Sequence, residues 1–400
     1  MDIKSVDFAT YEKLVKSVGS LSNLFTDNSV PYLSPKFVEK LYVYTSASAD
    51  FARKDMSFDA ITRNGAGVGV KTFGATNLSS SKTEKVAEFT ADATKGAFSG
   101  LSLDELVMTV ASYRNARVQS DARVFDVDLE NSFYHCLVRS KSGCMIHEEP
   151  YQLIQMDKIR IQKQTENSKN PKFSDGLHNY TFSTAKNTLF KTFDLSGHNN
   201  SPLIHVEPIT DVFELLLSGR LDAPSVGLAD STLAPEHPYV VLPLYSTQSG
   251  SVKPSSGINQ WNAGGRVRQF GEAYIPRPSE VRKAYPDFFP PQDVTFQLRV
   301  PSGKIMSAKV CQQNGKAIMS NPNSELCDWL FNLIDDDESI SRARLRDARP
   351  YTTADLARIG RDSVKISLID PAERLYELEP MSLGSYERFI EGADLETSGD

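Results

Sequence analysis

Asp59 and Lys71 are spaced as the two chemical ends of a hairpin. Ser57-Phe58-Asp59-Ala60-Ile61-Thr62 reads as a strand and Arg63-Asn64-Gly65 as a turn. Gly67-Val68-Gly69-Val70-Lys71-Thr72-Phe73 reads as a strand again. An acid at the start of one strand and a lysine at the end of the next suit metal-assisted phosphodiester hydrolysis. Carboxylates hold Mg²⁺ against the scissile phosphate, and the ion activates a water and stabilises the leaving oxygen. The lysine orients that water and neutralises charge on the pentavalent state. Glu84 or Glu88, expected on a helix over Lys82 to Ala93, is the candidate for a further metal-binding carboxylate, and Glu39 on an earlier helix for an outer one. The competing reading is that Asp59 caps a turn and Lys71 is a solvated strand end.

A second constellation is Asp126-Val127-Asp128-Leu129-Glu130 with Lys141, but Ser142-Gly143 puts that lysine in a hairpin turn, so a solvated loop explains it better. None of the six histidines has a lysine two residues on, and no His-Asn-His arrangement is present. Lys186 and Lys191 are spaced to touch phosphates or to line a solvated helix face. The four cysteines lack CxxC pairing and read as reduced, buried thiols.

Two later stretches carry a different chemistry. Ser256-Gly257-Ile258-Asn259-Gln260-Trp261-Asn262-Ala263-Gly264-Gly265-Arg266 and Lys316-Ala317-Ile318-Met319-Ser320-Asn321-Pro322-Asn323 crowd amides, basic side chains and turn formers together. Asn and Gln bond bidentately to adenine, and Arg or Lys to guanine. Glycine lets a backbone approach a phosphate. Gln260, Trp261, Asn262, Arg266 and Arg268 are therefore assigned to one arm of a clamp on double-stranded DNA. Lys316, Ser320, Asn321 and Asn323 are assigned to the other. Polar turns of a β-rich domain, with Trp261 as a core anchor, are the alternative.

These stretches occur in a longer series: LPLYS from Leu242, EAYIP from Glu272, DFFPP from Asp287, SAKVCQQNGKAIMSNPNS from Ser307, GRDSVKI from Gly360 and LGSYERF from Leu383. In that order they resemble the B3-like DNA-binding domain of BfiI/NgoFVII-type restriction endonucleases, a relative of the plant B3 domain. The resemblance implies a seven-stranded pseudobarrel gripping the major groove with two loop arms. It does not bring a catalytic centre, because the His-x-Lys motif of the phospholipase-D-type site in BfiI is absent. The Asp59–Lys71 hairpin instead resembles the PD-(D/E)XK nuclease core, with one departure. The position two before the lysine should be acidic and is Gly69.

The 400 residues exceed one ordinary domain, and a net charge of −7 confines any phosphate-binding surface to local patches. The reading is α+β: an α/β PD-(D/E)XK-like domain over 1–245, a linker over 246–256, a B3-like β pseudobarrel over 257–392 and a frayed tail over 393–400. Ser34 with Pro35 starts a helix, Tyr11 to Val18 is a short one, and Ser102 with Glu105 boxes a third through Ala116. Strands are expected over Arg123 to Asp128, Ser132 to Arg139 and Tyr151 to Ile161, then helices or loops, then a helix over Asp211 to Leu217. The acidic run Asp335 to Glu338 is placed on a solvent face. The N-terminus lacks a signal-peptide core and no long apolar run occurs, so the expected compartment is the cytoplasm. The implied protein is a type II restriction endonuclease, a homodimer using Mg²⁺, or alternatively a DNA-binding regulator without catalysis.

Overall fold

Asp7 and Ser34 each cap a helix. Asp7 accepts a hydrogen bond from the Thr10 amide and starts α1 (Phe8–Gly19), and Ser34 accepts from the Phe37 amide at 3.2 Å and starts α2 (Pro35–Ser46). Both satisfy amides that the first helical turn leaves without partners. The computed structural model describes residues 5–50, 56–162, 170–196, 202–217, 237–259, 272–335 and 349–397. It divides into two units, one of Met1–Phe89, Ser102–Ala111 and Val127–Thr232, the other of Thr90–Leu101, Ser112–Asp126 and Leu233–Asp400.

Along the chain after α2 come β1 (Ala49–Asp50), β2 (Ala60–Ile61), β3 (Ala66–Gly74) and β4 (Lys82–Glu88). Helices α3 (Thr90–Thr94) and α4 (Leu103–Phe125) follow, then β5 (Asp128–Ser140), β6 (Gly143–Pro150) and β7 (Arg160–Ile161). Next are β8 (Lys172–Ser174), β9 (Asn179–Ser183), β10 (Thr188–Phe193), β11 (Leu203–Ile204) and α5 (Val212–Leu217).

The first unit has two sheets. One has the order β1-β2-β3-β5-β6-β11, with β3 and β5 parallel and the other neighbours antiparallel. The second, β4-β10-β9-β8-β7, is antiparallel throughout. Alternation along β3, β5 and β6 gives the first sheet two distinct faces. Val68, Val70, Leu137 and Ile146 pack under α1 and α2 with Tyr11, Val15, Val38, Leu41 and Tyr42. The other face meets the second sheet through Phe73, Phe193 and Tyr134, with Tyr134 edge-on to Phe193 at 5.2 Å.

Three sequence expectations give way here. Lys82 to Glu88 is a strand, not part of a helix, because pairing with β10 outweighs the helix propensity of its Lys, Glu and Ala. Arg123 to Phe125 continues α4 rather than forming a strand. The helical spacing buries Val118, Ala122 and Phe125, and Arg123 donates to Asn332 O at 2.8 Å. Between Tyr151 and Phe193 the expected strand, and the helices or loops after it, give way to a short 3₁₀ turn at Met156–Lys158 and strands β7 to β10 among the described residues.

The second unit adds β12 (Tyr239–Pro243), β13 (Ile275–Pro276), α6 (Ser279–Ala284), β14 (Thr295–Arg299), β15 (Ile305–Cys311) and β16 (Ala317–Ser320). It ends with α7 (Ser324–Ile334), α8 (Thr353–Ile359), β17 (Arg361–Asp370), β18 (Leu375–Ser382) and α9 (Ser385–Thr397). Seven strands run in the order β12-β17-β18-β14-β15-β16-β13, and the end strands β12 and β13 approach each other, giving a nearly closed barrel. Closure removes most exposed strand edge. Val240, Leu242, Ile275, Leu298, Met306, Val310, Ile318, Val364, Ile366 and Leu378 are buried in it.

The barrel begins earlier than the sequence division at 245–257. β12 pairs with β17, and 246–256 is no linker but a loop of this unit, with the Ser246 amide bonded to Ser251 O at 3.0 Å. The C-terminal stretch read as frayed is helical through Thr397, and 398–400 lie outside the described residues. Asp335 is buried and accepts from Tyr351 Oη at 2.7 Å, so it does not belong to a solvent face, while Asp336 to Glu338 lie outside the described residues. All four cysteines are free and buried. No helix among the described residues is long and apolar enough to cross a membrane.

Candidate functional site

In the first unit, the β2–β3 hairpin brings Asp59 and Lys71 together as expected. Asp59 Oδ2 accepts from the Val70 amide at 2.7 Å and lies 3.8 Å from Lys71 Nζ. Lys71 stands on the face of β3 that meets the second sheet. Register places Lys71, Cys136 and His147 in one row, and Gly69, Tyr134 and Glu149 in the next. Across from them, Glu84 and Lys191 are direct register partners on β4 and β10. Burial raises the Glu84 carboxyl above its ordinary value, while the charges of Lys82, Lys71 and Arg139 oppose that rise. Glu84 therefore shares the field of Lys71. Glu88 does not belong to this group: it is exposed at the end of β4 and pairs with Lys85 at 3.0 Å. Glu39 pairs with Lys36 at 3.0 Å on α2.

Gly69 has a steric explanation. A Cβ there would lie 2.8 Å from the Tyr134 ring and 3.0 Å from that of Tyr151, which stack at a centroid distance of 4.3 Å. An acidic side chain at this position has no room. The two rings occupy that space.

Sequence reasoning missed the ionic group beside this row. Lys191 is buried, pairs with Glu149 and lies 4.7 Å from the Phe193 ring centroid, so it does not face phosphate. His147 Nε2 bonds Glu149 Oε2 at 2.9 Å, and His178 Nε2 lies 4.0 Å from Glu149 Oε1. Burial, then the Lys191 charge, lowers His147 to about 4. On the opposite face, buried His135 bonds Glu148 at 2.7 Å and Tyr11 Oη at 3.1 Å. The alternation His147-Glu148-Glu149 on one strand was the available signal, since it sends two acid–histidine pairs to opposite faces. Among the described residues no three His, Cys, Asp or Glu side chains form a metal-holding group.

The second constellation comes apart. Asp128 Oδ1 accepts from the Glu130 amide at 3.0 Å, and its Oδ2 accepts from Asn131 Nδ2 at 2.6 Å, closing a local turn. Lys141 lies past the other end of β5, a separation of roughly 40 Å along the strand. Asp126 has φ 54° at the end of α4. Lys186 is exposed in the β9–β10 turn.

In the second unit, a groove of about 350 Å³ opens beside the β15–β16 loop. Its lining includes Lys253, Ser256 and Gly257 from one loop, Arg277 just after β13, Arg282 from α6, and Gln312 and Lys316 from the other loop. Gln312, Asn314 and Gly315 have φ of 66°, 60° and 61°, and these left-handed residues turn the loop tightly. The roots of both proposed arms thus line one concave basic surface on a seven-stranded barrel. Residues 236–370 match the NgoFVII C-terminal B3-like DNA-binding domain. This part of the chain is a B3-like DNA-binding domain. No curated protein matches the chain's sequence.

Within the B3-like domain, Gln260, Trp261, Asn262, Arg266 and Arg268 lie outside the described residues. Asn259, at the root of that arm, is a structural residue. It is 3 % exposed; its Nδ2 donates to Lys253 O and Tyr351 O at 2.9 Å each, and its Oδ1 accepts from the Tyr351 amide at 2.7 Å. The second arm is divided. Lys316 is exposed on the groove, whereas Asn321 and Asn323 are exposed beyond the far end of β16, about 13 Å of strand away. Ser320 is fully buried, donating to Pro322 O at 2.8 Å and accepting from the Leu326 amide at 2.9 Å, so its hydroxyl does not reach a base.

Proposed function

We propose that the chain is a type II restriction endonuclease: the B3-like domain reads a short duplex sequence, and the first unit hydrolyses the phosphodiester backbone. The basic groove lined by the roots of both loops carries the recognition half. Asp59 and Lys71 at 3.8 Å, with Glu84 in the same field, support the cleavage half. Mg²⁺ is commonly held by one or two carboxylates, with substrate phosphates and water completing its shell. Asp59 and Glu84 are the carboxylates proposed to hold it. When bound, the ion supplies Lewis acidity and an activated water. Lys71 orients the attacking water and offsets developing negative charge. One such centre per chain cuts one strand, so a homodimer is proposed for double-strand cleavage.

A second reading follows from Gly69. With that carboxylate position closed by Tyr134 and Tyr151, and Asp59 already bonded to Val70, the unit fits a DNA-binding regulator without catalysis. Incubating the full chain with plasmid DNA and Mg²⁺, then mapping the ends, separates the two. Discrete fragments support the nuclease. Uncut DNA together with a specific gel shift supports the regulator. Light scattering of the cleaving complex tests the dimer, and a strict monomer that cuts both strands overturns it.

A further inference from the structure

Arg277 presents an electrostatic problem that the barrel fold does not solve. Only 8 % of its surface is exposed, yet among the described residues its guanidinium makes a single hydrogen bond, from Nη2 to Tyr285 O at 3.2 Å. Its Cζ lies 5.2 Å from the Phe289 ring centroid, and its buried Nε–H has no acceptor among the described residues. Arg282 donates from Nη1 to Asn314 O at 2.9 Å, and its Nε–H likewise has no acceptor. Burial first, and then the charge of Arg282, lowers the Arg277 pKa. Glu280 lines the same groove, but neither guanidinium has a carboxylate partner among the described residues. Buried arginines are ordinarily paired with an anion, because desolvated positive charge is costly alone. Two neighbouring guanidiniums with spare N–H groups are complementary to a tetrahedral oxyanion, which accepts forked hydrogen bonds from arginine. Lys253 and Lys316 line the same groove and add to its positive potential.

We propose that Arg277 and Arg282 together bind a phosphate group between the roots of the two loops. Two sources share that chemistry: a backbone phosphate of bound DNA, and free inorganic phosphate or a nucleotide. Only the first source rests on the DNA-recognition reading above. A contact of the first kind fixes the register of the barrel on the duplex without reading sequence.

The full chain, wild type and as Arg282→Gln and Arg277→Lys, is taken through two titrations. Thermal unfolding is followed with inorganic phosphate against sodium chloride of equal ionic strength. Duplex binding is followed over a range of salt. Arg282 is only partly buried, so its variant remains informative if Arg277→Lys fails to fold. A DNA contact lowers the slope of log K against log salt by about 1 in Arg282→Gln, with equal weakening on specific and non-specific duplexes. A free-anion site gives a phosphate-specific rise in Tm of the wild type that Arg282→Gln removes, with the salt slope unchanged. Either result supports the site and names its source. If phosphate acts no differently from chloride and the salt slope of Arg282→Gln equals that of wild type, the proposal is overturned. Should the chain bind no duplex, the DNA-recognition reading fails, and the phosphate titration alone decides the arginine site.

Discussion

Asp59 Oδ2 lies 3.8 Å from Lys71 Nζ while also accepting the Val70 amide at 2.7 Å, so one oxygen serves both the hairpin and the candidate centre. This dual use dictates the choice of variant. Asp59→Asn retains a side-chain oxygen for the Val70 amide but loses the charge, whereas Asp59→Ala removes both. Asp59→Asn and Lys71→Ala are expected to abolish plasmid cleavage and to leave sequence-specific gel shifts nearly intact. EDTA should stop wild-type cleavage and Mg²⁺ restore it. Full activity in Asp59→Asn would place the centre elsewhere.

Glu84 and Glu88 separate cleanly. Glu84 faces the field of Lys71 and is raised by burial, and Glu88 is exposed beside Lys85. Glu84→Gln should therefore be inactive, and Glu88→Gln should cut at close to the wild-type rate. Initial rates on a supercoiled plasmid give the comparison, and an inactive Glu88→Gln beside an active Glu84→Gln would reverse the assignment.

The hairpin was legible because strand, Gly-containing turn and strand are local signals. Helices capped by Ser34 and Ser102 were legible for the same reason. Glu84 was expected on a helix and lies on a strand, since only its pairing to β10 makes Lys82 to Glu88 a strand. Nothing local announces that pairing. The Lys191–Glu149 pair also went unseen, because its members are brought together only by the packing of two sheets. In the B3-like domain Asn259 and Ser320, within the two amide-rich stretches, proved to be buried fasteners, while Arg277 and Arg282 drew no notice. Residue type alone does not distinguish an amide that reads a base from one that ties down a loop.

The division of the second arm makes Lys316 and Asn321 a useful pair. Lys316→Ala should weaken binding to all duplexes alike and lower the salt slope by about 1, as expected for a phosphate contact. Arg266→Ala should cost roughly 1–3 kcal/mol of discrimination at one base pair. Asn321→Ala tests whether the far end of β16 reaches DNA: unchanged specificity confines the interface to the groove end. Gel-shift titrations on cognate and single-mismatch duplexes read all three, and uniform loss in Arg266→Ala would remove it from base readout.

His147 adds a pH dependence to the stability of the first unit. Burial, followed by the Lys191 charge, lowers it from an ordinary 6.5 to about 4. Its folded value lies below its unfolded one, so its contribution is fully present above about pH 6.5. It is lost as pH falls toward 4, because the unfolded chain takes up the proton first. The loss is on the order of 2–3 kcal/mol. Urea midpoints at pH 7.5 and pH 4.5 should differ more for wild type than for His147→Gln. Equal differences would show that other groups account for the acid sensitivity.

Asn259 ties the root of the first arm to Tyr351, whose hydroxyl continues the network to Asp335 at 2.7 Å. Asn259→Ala strands the Tyr351 amide and two carbonyl oxygens in a site where the native side chain is 3 % exposed. Each buried group left without a partner costs about 1–3 kcal/mol, and partial access of water keeps the sum near 2–4. Asn259→Asp keeps an acceptor for the Tyr351 amide but replaces two donors with a buried negative charge, so it should be no milder. Urea unfolding of both variants measures the stability loss. Specific binding under native conditions should fall as well, because Asn259 directly precedes the Gln260 to Arg268 stretch in the chain. A variant with wild-type stability and weakened binding would instead make Asn259 a direct DNA contact, contrary to its burial.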